Sequence, residues 1–133
     1  MSDHTILYIE DNYHNRRIVR KILMAGGYEV YEAEDGRSGL KMVSELRPGL
    51  VLLDISLPGM DGLEVVGHLK ADPELAKITV VALTASAMVG DRERFLKAGC
   101  DDYLSKPVRA SDLLAKVGEY LAPSKDMTPT IGL

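Results

Sequence analysis

Glu10 and Asp11 directly follow the apolar run Thr5-Ile6-Leu7-Tyr8-Ile9, and Asp54 follows Leu50-Val51-Leu52-Leu53. Each run reads as a buried parallel strand, so three carboxylates emerge where two strands end. In open α/β sheets the carboxyl ends of the strands form the ligand crevice, and neighbouring strands would bring the three acids to one place. Two carboxylates about 4 Å apart repel by roughly 1 kcal/mol in water and roughly 4 kcal/mol at the intermediate dielectric of a cleft. A bound divalent cation reverses that repulsion, which makes the cluster a candidate metal site. Thr84 closes another apolar run and Lys106-Pro107 closes a further one, adding a hydroxyl and an ammonium at the same sheet edge. No glycine-rich phosphate loop is present.

Positioning these groups requires a regular scaffold, and the hydrophobic pattern supplies one. Strand-like and helix-like segments alternate along the chain, which predicts an α/β fold rather than segregated elements. Strands are expected near 5–9, 28–33, 50–54, 79–84 and 102–105, and helices near 13–25, 37–46, 62–71, 89–98 and 110–121. The third and fourth strands are apolar at nearly every position, as strands covered on both faces must be, while the second alternates like an edge strand. Right-handed crossovers then give a doubly wound five-stranded parallel sheet of order 2-1-3-4-5, flanked by five helices, with strands one and three adjacent. The first helix is expected to turn Ile18, Ile22 and Ala25 inward and to leave Arg16, Arg17, Arg20 and Lys21 largely toward solvent.

The 133 residues fit one domain, expected over 1–122, with 123–133 lacking periodicity and read as a flexible tail. A hydrophobic content of 46%, with no apolar stretch of spanning length, gives no reason to expect a membrane protein. The net charge of −4 offers no electrostatic footprint for direct nucleic-acid binding. One cysteine, Cys100, cannot form an internal disulfide and reads as inert packing, and the N-terminal residues carry no export signal, so the cytoplasm is the expected compartment. His4, His14 and His68 lack metal-ligand spacing and read as surface residues.

Glu10-Asp11, then Asp54-Ile55-Ser56-Leu57-Pro58-Gly59, Thr84-Ala85, Tyr103 and Lys106-Pro107 together resemble the receiver domain of two-component response regulators, over residues 5–121. The entry Glu10-Asp11-Asn12 with Asn15-Arg16 is similar to receivers of hybrid kinases and phosphorelays. The resemblance implies that Asp54 is a phosphoacceptor, taking a phosphoryl group from the phosphohistidine of a histidine kinase or histidine phosphotransferase. It implies Mg2+ held by Asp11, Asp54 and the backbone carbonyl of Ser56, with Glu10 acting through a water. Lys106 and Thr84 would contact phosphoryl oxygens, and a cis peptide would precede Pro107. Thr84 would move toward the phosphoryl group and Tyr103 would rotate inward, changing the face of helix four, strand five and helix five that a downstream effector protein reads. The chain would then be a regulator, acting catalytically only in its own phosphorylation and dephosphorylation. The basic face of the first helix is near where the family's kinases dock. The charges of helices four and five permit a homodimer without requiring one.

Rival classes fare worse. A haloacid-dehalogenase-type hydrolase would need a second acid two residues after the nucleophile, where this chain has Ser56. A flavodoxin-like flavin binder would need a phosphate loop where Glu10-Asp11-Asn12 stands. The remaining alternative is a receiver-shaped binding module whose output ignores phosphate.

Overall fold

The computed structural model describes residues 4–85 and 90–123. Its order is β1 (Thr5–Ile9), α1 (Tyr13–Ala25), β2 (Glu29–Ala33), α2 (Gly36–Leu46), β3 (Leu50–Asp54), α3 (Gly62–Ala71), β4 (Thr79–Thr84), α4 (Asp91–Ala98), β5 (Asp102–Ser105) and α5 (Ala110–Gly118). The five strands form one sheet in the order β2-β1-β3-β4-β5, and each adjacent pair is parallel. The tail expected over 123–133 falls, from residue 124 on, outside the described residues.

Strand alternation splits the core in two. Leu7 and Ile9 of β1, with Val51 and Leu53 of β3, pack on the side that includes Val43 of α2, Val65 and Leu69 of α3 and Phe95 of α4. Ile6, Tyr8, Leu50 and Leu52 pack on the opposite side with Val19 and Leu23 of α1 and Leu113 and Val117 of α5. β3 is buried along its whole length, β4 is buried after Thr79, and β2 alternates exposed and buried positions before ending on half-buried Glu32 and buried Ala33, as expected of central and edge strands. Among the described residues no helix is long and apolar enough to cross a membrane.

Helix starts follow local chemistry. Asn12 caps α1 by accepting from the Asn15 amide at 2.9 Å, Asp35 caps α2 by accepting from the Ser38 amide at 2.8 Å, and Asp61 forms a capping box with Glu64 on α3. One expected face is corrected. The inward stripe of α1 is Val19 and Leu23, with Ile22 partly buried; Ile18 is 58% exposed, Ala25 is exposed, and Arg16 is largely covered. The rotation places Ile18 beside the sheet edge that carries the acids. α5 ends at Gly118, short of the expected 121, and the buried Leu121 is retained by its amide donating to the Val117 carbonyl at 2.9 Å. Cys100 is buried as expected, and its thiol is pushed up to about 11, first by burial and then by Asp101.

At the far end of β5, Asp102 accepts from Lys116 Nζ at 3.0 Å and from the Tyr120 hydroxyl at 2.9 Å. Burial opposes its ionisation, but Lys116, the Tyr103 amide and Tyr120 together hold the carboxyl below its ordinary range. A depressed carboxyl stabilises the fold above its unfolded value, about 3.9, and that contribution is lost as pH falls through the folded value. Asp102→Asn is therefore expected to flatten the acid side of a melting-temperature profile below about pH 5. Superimposable acid limbs for the two proteins would show that the cluster carries no such stability.

Candidate functional site

Parallel pairing of β1 with β3 sets Ile9 against Leu53, so Glu10 and Asp54 leave the sheet side by side. Glu10, Asp11 and Asp54 each offer a carboxylate oxygen, all within 4.8 Å of one another. Glu10 is 1% exposed and Asp54 3%, whereas Asp11 is exposed at the mouth. Lys106, which follows β5, reaches across the sheet edge: its Nζ lies 2.8 Å from Glu10 Oε1 and 3.2 Å from Asp54 Oδ2. Thr84 is buried at the end of β4, and its carbonyl accepts from the Lys106 amide at 2.7 Å. The Lys106–Pro107 peptide is cis.

The buried polar groups of the cleft are partnered. Asp54 Oδ1 accepts from the Ser56 amide at 3.0 Å, and Glu10 Oε2 accepts from the Asn12 amide at 3.2 Å. Burial resists ionisation of Glu10, but hydrogen bonds from Lys106 and the Asn12 amide, with the Lys106 charge, hold it below the usual carboxylate range. Asp54 moves the other way: burial and the neighbouring Glu10 raise it, against the Ser56 amide and the Lys106 charge. For Lys106, contact with the two carboxylates outweighs burial and keeps the ammonium charged. The site is thus an acidic pocket carrying more negative charge than one lysine offsets.

Tyr103 is half-buried on β5, its ring 5.9 Å from that of Phe95 on α4. Ser56 is exposed in the loop after β3. All the residues singled out at strand ends therefore converge on one edge, with Tyr103 two residues before the end of β5. Two residues reach the site beyond what their sequence reading gives them, Tyr8 as part of an apolar run and Arg16 as largely solvent-facing. Tyr8 donates its hydroxyl to Glu10 Oε1 at 3.0 Å; a residue two positions before Glu10 on a strand shares its face, so the spacing carried that signal. Burial, then Glu10, pushes the Tyr8 phenol far up, so it remains a donor. Arg16 reaches the loop after β1 and contacts carbonyls, which sequence does not display.

The oxygen-only donor set fits a hard divalent cation, which takes carboxylates, carbonyls and water. Close against these donors, Gly62 at the start of α3 packs so tightly that a Cβ would stand 2.6 Å from Ile55 Cα and 2.8 Å from the Asp54 carbonyl oxygen.

Comparison with known proteins agrees with this geometry. Residues 6–118 match the family described as the response regulator receiver domain. The chain is 41% identical over 117 residues to the polar-differentiation response regulator DivK of Brucella anthropi, covering 88% of this chain and 95% of that protein. Among solved structures it resembles Vibrio cholerae chemotaxis protein CheY4, with a TM-score of 0.83, 26% identity and coverage of 88% and 98% of the two chains. It also resembles the receiver domain of sensor histidine kinase PA1611 from Pseudomonas aeruginosa, solved with a magnesium ion coordinated in its active-site cleft, with a TM-score of 0.82, 32% identity and coverage of 90% and 98%. With its parallel sheet, its acidic strand-end pocket and this family match, the chain belongs to the response regulator receiver domains of two-component signalling.

Proposed function

We propose that this protein is a phosphoacceptor switch in which Asp54 takes a phosphoryl group from the phosphohistidine of a histidine kinase or histidine phosphotransferase, with the receiver domain spanning 1–122. The observation that carries the reading is the meeting of Asp54 with two further acids and Lys106 on one buried edge. A carboxylate oxygen of Asp54 attacks phosphorus in line; the new O–P bond forms as the N–P bond of the donor breaks, and the imidazole leaves with the electron pair. Asp11, Asp54 and the Ser56 carbonyl would hold Mg2+, with Glu10 engaging it through water. When bound, the ion supplies positive charge to the attacked phosphoryl group and to the crowded carboxylates. Lys106 would trade its Asp54 contact for a phosphoryl oxygen, and Thr84 would donate a hydrogen bond to another.

The signal then passes outward. Thr84 moves toward the modified Asp54, Tyr103 turns into the space beside it, and the α4-β5-α5 face changes for a downstream effector protein. Phosphodonor docking is supported by an apolar groove of about 460 Å³ beside Lys106, formed by Ile18 and Val19 of α1 and by Pro107 and Val108. A helix carrying the donor histidine could cover the exposed Ile18 there. The cytoplasm is the compartment we assign, on the single buried cysteine.

Incubation with a small phosphodonor, with and without magnesium, tests the reading. Incorporation of one phosphoryl group per chain, dependent on magnesium, is expected. Absence of labelling beside an active donor would instead favour the receiver-shaped module that ignores phosphate.

A further inference from the structure

Arg16 does more than decorate α1. Its side chain is only 12% exposed, its Nη1 donates to the carbonyl oxygen of Glu10 at 2.7 Å and to that of Asp11 at 3.2 Å, and its Nε donates to Glu32 Oε1 at 3.0 Å. Glu32 sits on β2 in register with Tyr8 of β1, and its other oxygen accepts from Arg20 at 2.8 Å. One planar guanidinium therefore spans from β2 to the two peptide groups that carry the acids. We propose that Arg16 is a positioning residue for the cation site, clamping the carbonyls of Glu10 and Asp11 so that their carboxylates leave the strand end in a fixed direction.

The inference rests on the cluster being a cation site, as proposed above. Its physical basis is the contrast between the two acids. The Glu10 carboxylate is held by Tyr8, Asn12 and Lys106, whereas no hydrogen bond to the exposed Asp11 carboxylate is found among the described residues. The direction of Asp11 is then set by its backbone, and Arg16 grips that backbone. Groups one shell out from a metal typically govern affinity by about 10- to 100-fold by orienting the ligands. A lysine could not reproduce the grip, because a single ammonium lacks the rigid fork that serves Glu32 and two carbonyls together. The charge of Arg16 acts in the opposite sense, repelling a cation, but Glu32 at 3.0 Å offsets it.

Magnesium chloride titration of the isotopically labelled, unphosphorylated protein, followed by the amide resonances of Asp11 and Ser56, tests the clamp alongside thermal unfolding without metal. Arg16→Ala is expected to raise the magnesium dissociation constant about tenfold. Arg16→Lys, which keeps the charge and loses the fork, and Glu32→Gln, which frees the guanidinium, should shift it in the same direction by less; these two decide the matter if Arg16→Ala does not fold. Wild-type affinity in Arg16→Lys and Glu32→Gln, tighter binding in Arg16→Ala, or a lowered melting temperature with unchanged affinity would each overturn the clamp. Wild-type protein that binds no magnesium would overturn the cation-site reading itself, a separate outcome.

Discussion

Asp54→Asn is expected to abolish phosphoryl incorporation from both phosphohistidine and small donors, lowering the labelling rate by at least about a thousandfold, as loss of a nucleophile does. The amide is nearly isosteric and retains an acceptor for the Ser56 amide, so the loop after β3 should keep its place. Removing the charge also relieves the burial penalty and the repulsion with Glu10 that raise the Asp54 carboxyl. The metal-free variant should consequently melt at or above the wild-type temperature. A ligand that binds the folded state stabilises it in proportion to the logarithm of its saturation, so the magnesium-induced rise in melting temperature should shrink in the variant. Mass spectrometry of intact protein after donor treatment, with calorimetry in parallel, reads both effects. Undiminished labelling of the variant would remove Asp54 from its assigned role.

Gly62→Ala is the second large effect, and it acts through packing. The added methyl would lie 2.6 Å from Ile55 Cα and 2.8 Å from the Asp54 carbonyl oxygen, both main-chain atoms that cannot swing aside. The Gly62 amide also donates to the Ile55 carbonyl at 3.0 Å, so separating the two segments strains a hydrogen bond as well. Overpacking of this kind costs about 1–3 kcal/mol, which for a domain of this size lowers the melting temperature by roughly 3–15 °C. Because the displaced atoms are the backbone of Asp54 and its neighbour, the labelling rate should fall by on the order of tenfold or more even where the protein remains folded. Gly67→Ala is the matched control, since a Cβ there meets nothing within 4 Å and alanine favours helix. Equal melting temperatures for Gly62→Ala and wild type would show that α3 slides to absorb the methyl.

The sheet was readable because its signals are local and redundant. Apolar runs of strand length, each ended by a polar residue, located β1, β3 and β4, and the handedness of crossovers then ordered the strands. Glu10, Asp54, Thr84 and Lys106 were found for the same reason: each stands at or just past the end of a run. The face of α1 was harder. Stripes through Ile18 and Ile22 or through Val19 and Leu23 are one residue apart, about 100° of rotation, and both are apolar. What selects the second is the apolar floor made by Ile6, Tyr8 and Leu113, which no window along α1 contains. Arg16 was misread through the same rotation, and because its acceptors are main-chain carbonyls of residues 10 and 11. Gly62 read as an ordinary helix start, since the close approach of Ile55 exists only once the chain has folded.

Tyr28 precedes β2, and its hydroxyl donates to the Leu121 carbonyl at 2.7 Å, joining positions 93 residues apart. That bond lies at the pole where strands enter the sheet, away from the crevice. Anything genetically appended beyond Leu121, a fluorescent reporter or a surface tether, thus begins its path from the antipode of Asp54. A tether joined directly at this pole starts on the side of the sheet away from the crevice, which makes this end the natural handle for immobilised assays.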